Sequence, residues 1–132
     1  MRIDPGARER LLAHGRETLP EEACGLLLGD AERVLELAPA RNAAEGDRRT
    51  HFEIDPRDFV EADSLARALG LEIVGSYHSH PGRRAVPSDA DRAAAESSWL
   101  LVIVGQPGMP AEELRAWRRR EGDLLEETLT EG

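Results

Sequence analysis

Residues 71–91 run Leu71-Glu72-Ile73-Val74-Gly75-Ser76-Tyr77-His78-Ser79-His80-Pro81-Gly82-Arg83-Arg84-Ala85-Val86-Pro87-Ser88-Asp89-Ala90-Asp91. The first seven are apolar almost throughout, as expected of a strand buried on both faces. His78 and His80 follow two apart at its end, so both imidazoles project from one face, while Tyr77 alternates into the core. Pro81-Gly82 stops the strand, and 81–87 reads as a loop. Ser88 suits the N-cap of a helix over 89–96, with Asp91 at the position where a capping box carries an acid. A strand, loop and helix in this order can return Asp91 over the two histidines. Two imidazoles and one carboxylate, with a fourth position left to water, form the ligand set of a catalytic zinc. The same residues, taken singly, also suit two surface histidines and an ordinary helix cap.

The surroundings predict the elements that hold this stretch. Asp4-Pro5 opens a helix whose apolar stripe is Ala7, Leu11, Leu12 and Leu19. Residues 23–28 are apolar, and Gly29-Asp30 turns them into 34–37, which is a hairpin signal. Residues 39–50 read as a surface loop and Phe52-Glu53-Ile54 as a short strand. Asp55-Pro56 starts a second helix, with Phe59, Ala62, Ala66 and Leu69 inward and Gly70 ending it. Residues 99–104 form the most hydrophobic strand, 105–110 a turn, and two alternating strands follow around 114–117 and 124–129. The expectation is a mixed α/β fold, one β-sheet with flanking helices, and a single domain over residues 1–132.

Composition narrows the function. The 132 residues carry 26 Asp+Glu against 17 Lys+Arg, a formal net charge of −9, and every basic residue is Arg. That balance argues against sequence-independent binding to nucleic acid, which needs clustered positive charge. The local run from Arg115 to Arg120 reads as the solvent face of a strand. No apolar run approaches the roughly 20 residues that span a bilayer, and the expected setting is the cytoplasm. One cysteine, Cys24, excludes an internal disulfide and a Cys-rich zinc framework, and it reads as a small packing residue. His14 and His51 read as surface or packing histidines.

His-x-His, seven residues, Ser, two residues and Asp resembles the motif of the JAMM (MPN+) metallopeptidases. Glu22-Ala23-Cys24-Gly25 resembles their upstream Glu-x-Cys-Gly element, and this register selects Glu22 over Glu21, an equal candidate by residue type alone. The resemblance implies a cytidine-deaminase-like sheet, one zinc ion on His78, His80 and Asp91, Glu22 as general base and Ser88 as oxyanion stabiliser. It implies hydrolysis of an amide bond, with a carboxylate accepting the proton of the attacking water. Among family members the lean chain is similar to bacterial proteins that process small ubiquitin-like sulfur carriers at a C-terminal Gly-Gly. Such proteins often form homodimers. Alternatives within the same resemblance are a RadC-like, DNA-repair-associated protein and a non-catalytic MPN scaffold. Arg83 and Arg84 read as solvated loop charges making a modest contribution to substrate binding.

Overall fold

The computed structural model describes residues 1–95 and 98–132. Its strands are β1 (Arg2–Ile3), β2 (Cys24–Gly29), β3 (Arg33–Ala40), β4 (Glu72–His80), β5 (Leu100–Gly105), β6 (Glu113–Arg120), β7 (Asp123–Glu127) and β8 (Thr130–Glu131). They form one mixed sheet in the order β7-β6-β5-β4-β2-β3-β1-β8. At its centre β4 pairs antiparallel with β2 and parallel with β5. The helices are α1 (Pro5–Thr18), α2 (Pro56–Ala68) and α3 (Asp89–Ala94). Among the described residues no helix is long and apolar enough to cross a membrane.

Successive residues of a strand face opposite sides of a sheet, and both sides are covered here. Leu27 joins Ile3, Leu11, Val34, Tyr77, Val102 and Val104 in the core that contains the α1 stripe. Its neighbours Leu26 and Leu28 pack with Ala38, Ala62 and Ala66 beneath α2. Leu101 and Ile103, on the side of β5 away from α1, join Ala85, Trp117 and Leu124. Burial on both faces is why β2 and β5 are buried at every position and read as unbroken apolar runs. Each fully buried Leu or Ile contributes about 1.5–3 kcal/mol relative to exposure.

The predicted fold class and hairpin are present, and five local expectations are corrected. Phe59 and Leu69 do not face inward: they are 39% and 50% exposed, because the small Ala62 and Ala66 bring α2 close to the sheet and Phe59 stacks on Trp99. Leu19, at the C-cap of α1, is also exposed. Residues 52–54 make only an isolated bridge between Ile54 and Asn42, since the Asn42 side chain takes the ladder bonds, donating to His51 O and accepting from Glu53 N–H. The last strand is divided, with β7 ending at Glu127 and β8 pairing with β1, and both β1 and β8 are too short for periodicity to reveal. The helix predicted over 89–96 ends at Ala94, and position 96 lies outside the described residues.

Candidate active site

The site forms where β2 begins and β4 ends. Cys24 pairs with His78, and the antiparallel register continues through Ala23 and Ser79. The Ser79 N–H donates to Ala23 O at 3.0 Å, and the Ala23 N–H donates to Ser79 Oγ at 2.8 Å. Glu22, one residue earlier, therefore falls across from His80. Its own N–H donates to Arg48 O at 2.8 Å, and its carbonyl accepts from Asn42 Nδ2 at 3.2 Å. Gly25, the second residue of β2, pairs with Tyr77, and a Cβ there would meet the Tyr77 ring at 2.5 Å.

Asp91 arrives from the other side. Ser88 caps α3 through a capping box: its Oγ accepts from Asp91 N–H at 3.1 Å, and its N–H donates to Asp91 Oδ2 at 2.9 Å. The loop before it is pinned at Ala85, whose N–H donates to a Glu113 carboxylate oxygen at 2.9 Å and whose carbonyl accepts from Trp117 Nε1 at 3.0 Å. Gly105 admits this loop, since a Cβ there would lie 2.4 Å from Ala85 N.

Three metal-ligating side chains converge as a result. His78 Nε2 and His80 Nε2 are 3.1 Å apart, Asp91 Oδ1 is 3.1 Å from the first and Asp91 Oδ2 is 3.1 Å from the second. Ligands about 2.0–2.1 Å from a tetrahedral zinc stand about 3.3–3.4 Å from one another, so the triangle fits. Tautomer chemistry agrees. His80 Nδ1 lies 2.9 Å from Arg84 O, which can only accept, so Nδ1 carries the proton and Nε2 of the neutral ring is a bare acceptor. Two acceptors at 3.1 Å are favourable only with a proton or metal ion between them. His78 is also braced by Phe52, stacked at 4.3 Å between ring centroids.

Glu22 stands beside this triangle: Glu22, His78 and His80 each place a ligand-capable atom within 4.8 Å of the others. Glu22, His78, His80 and Asp91 are all buried. Burial pushes the Glu22 carboxyl above the usual range, partly offset by His78, His80 and Arg83. Burial acts in the same sense on Asp91, but His78 and His80 beside it outweigh that effect and hold the carboxyl well below the usual range. Glu22, Ser88 and Asp91 line a groove of about 320 Å³, whose walls also include Phe52, Ile54, Ala90 and Ala94.

The description "Prokaryotic homologs of the JAB domain" belongs to the family model that matches residues 4–120. The chain belongs to this prokaryotic JAB family. It is a JAMM-type hydrolase. It is 39% identical over 107 residues to a desampylase of Haloferax volcanii, covering 76% of each chain. It is 30% identical over 120 residues to a CysO-cysteine peptidase of Mycobacterium tuberculosis, covering 89% of this chain and 81% of the relative. A protein of Desulfitobacterium hafniense, solved in solution, superposes with a TM-score of 0.86 at 29% identity over 99% of this chain and 92% of its own.

Within this JAB domain all five sequence-predicted residues, Glu22, His78, His80, Ser88 and Asp91, come together. The reading of Arg83 is corrected: its Nη2 donates to Glu22 Oε2 at 2.6 Å, so it is bonded to the site and is not a free loop charge. Arg84 turns outward, 3.8 Å from Glu113. His14 bonds the Tyr77 hydroxyl at 2.8 Å, and exposed His51 lines the groove. Sequence reasoning missed Phe52, Asn42, Ser79, Glu113 and Trp117 as supports. Of these only Ser79 carried a signal, as the middle residue of His-x-His.

Proposed function

We propose that this JAB-family protein is a zinc-dependent peptidase that hydrolyses the amide bond after the C-terminal Gly-Gly of a small ubiquitin-like sulfur carrier. The observation that carries this reading is the convergence of acceptors from His78, His80 and Asp91 beside a buried Glu22. In this reading those three residues hold the metal. A zinc ion held there would supply Lewis-acid chemistry, making a water nucleophile available near neutral pH.

The protein's own groups supply the rest. Glu22 accepts the proton of the attacking water on its carboxylate, which Arg83 holds through Oε2. It then returns that proton to the nitrogen of the leaving amine as the C–N bond breaks. The Ser88 oxygen is occupied as a helix cap, and its hydroxyl proton remains to donate to the carbonyl oxygen as negative charge develops there. The groove suits the substrate class, since a Gly-Gly tail has no side chains and can lie extended between Phe52, Ile54, Ala90 and Ala94. The relative named as a CysO-cysteine peptidase supports a carrier conjugate over a general peptide.

The test is intact-mass analysis of a carrier–Gly-Gly–peptide fusion incubated with zinc-loaded protein. Cleavage after Gly-Gly is expected, with Glu22→Gln slower by about 10²–10⁴-fold. Equal rates would remove Glu22 as the base. No cleavage by a zinc-bound wild type would overturn the substrate class.

A further inference from the structure

Arg83 gives the site a cation that its hydrolytic chemistry does not require. Its backbone is fixed at both ends, with the N–H donating to His80 O at 3.1 Å and the carbonyl accepting from Gln106 N–H at 2.8 Å. Its Nη2 donates to Glu22 Oε2, and among the described residues its side chain makes no other hydrogen bond. The side chain is 39% exposed, while Glu22 is buried. A guanidinium has five N–H donors in a planar fork, so the edge not facing Glu22 is open to a second acceptor. Glu22 lines the groove assigned to the uncharged Gly-Gly tail, and Arg83 is not among the residues that line it.

We infer that Arg83 is a specificity-determining residue that binds the α-carboxylate of the leaving group. This enzyme then favours conjugates in which the carrier's last glycine is joined to the amino group of a free amino acid. The inference rests on the peptidase reading above. In that hydrolysis the carbonyl carbon gains the water oxygen, the C–N bond breaks, and the amine departs with the proton from Glu22. The leaving nitrogen must lie within hydrogen-bond reach of Glu22, about 3 Å. In a free amino acid the α-carboxyl carbon is only about 2.5 Å from that nitrogen. Hydrolysis of such a conjugate thus brings a second carboxylate within a few ångströms of Glu22, where the like charges repel. A guanidinium bonded to Glu22 on one edge and to the incoming carboxylate on the other converts that repulsion into attraction. A lysine side chain of a protein presents no carboxylate at this distance and gains nothing from Arg83.

The test uses two conjugates of one carrier, ending in Gly-Gly-alanine with a free carboxylate or in Gly-Gly-alaninamide. For the zinc-loaded wild type, kcat/KM is expected to favour the acid by about tenfold or more. In Arg83→Gln the acid-to-amide ratio should fall to one or below, and Arg83→Lys should keep part of it. The ratio within each variant cancels any effect of Arg83 on Glu22 itself. Calorimetric Kd values of both conjugates for chelator-stripped protein should show the same ratio without turnover. A wild-type ratio of one, or a ratio unchanged in Arg83→Gln, overturns the assignment. If Arg83 instead holds the carrier's new carboxylate, the ratio is one and Arg83→Gln weakens inhibition by free carrier, which also overturns it. If the wild type cleaves neither conjugate the peptidase reading fails, and the Kd ratio still decides the role of Arg83.

Discussion

Cys24 follows Glu22 by two residues and pairs with His78 across the sheet. Its side chain is wholly buried, and burial, aided by the Glu22 and Asp58 carboxylates, pushes the thiol up to about 12. At pH 8 the thiolate is then only about 10⁻⁴ of the population. Native protein should resist iodoacetamide at pH 8 and take up one equivalent after denaturation; rapid alkylation of the native form would contradict this. Asp55 shows the opposite shift. Hydrogen bonds from the Arg57 side chain and backbone hold its carboxyl near 2, below its ordinary 3.8. A depressed folded-state value means the ionised group stabilises above about pH 4 and loses that contribution as pH falls toward 2. Urea midpoints of wild type and Asp55→Asn should differ most at neutral pH and converge near pH 2. At this scale His78, His80, Ser88 and Asp91 were legible in the sequence, because local spacing along strand, loop and helix sets their positions, whereas Glu22 was picked out only by its resemblance to the family's Glu-x-Cys-Gly element. Arg83 was not, because its partner Glu22 lies 61 residues away.

At the scale of elements, the loop between β4 and α3 determines how firmly the donor triangle is held. Nothing in its sequence shows that Ala85 is its anchor. The anchor exists because β6 supplies a carboxylate from Glu113 and an indole N–H from Trp117 to the Ala85 backbone. Groups that orient ligands from outside are worth about 10–100-fold in metal affinity. Glu113→Ala should raise the zinc Kd by about that factor in a chelator competition, with the far-ultraviolet circular dichroism unchanged. An unaltered Kd would show that the loop holds its shape without β6. The second helix teaches a related lesson. Its 3.6-residue stripe identified Ala62 and Ala66 as inward, but the width of the buried face depends on how closely the helix approaches the sheet. Small residues at the contact narrowed it, leaving Phe59 and Leu69 partly in water.

For the whole molecule, the candidate metal site ties distant parts of the chain together. Its triangle comes from the end of β4 and the first turn of α3, with Glu22 beside it from just before β2, so it is complete only when the sheet and α3 are assembled. An ion that binds the folded state alone stabilises it by mass action, by about 2.7 kcal/mol at a hundred times its Kd. Thermal unfolding should therefore shift upward with added zinc and return on chelation, and His78→Ala and His80→Ala should abolish the shift. A Tm indifferent to zinc in the wild type would overturn the metal assignment.

The amino-acid sequence alone determined the mixed α/β class, the hairpin, the buried central strands and the placement of two imidazoles and a capping carboxylate near one another. These follow from periods of 2 and 3.6 residues and from caps that act within one turn, so they depend on neighbours in the chain. Tertiary structure alone decided the pairing of β1 with β8, the stacking of Phe52 on His78, the anchoring of Ala85 and the union of Arg83 with Glu22. Each joins side chains or edges from separate segments, and sequence spacing carries no information about distances that only the assembled sheet creates.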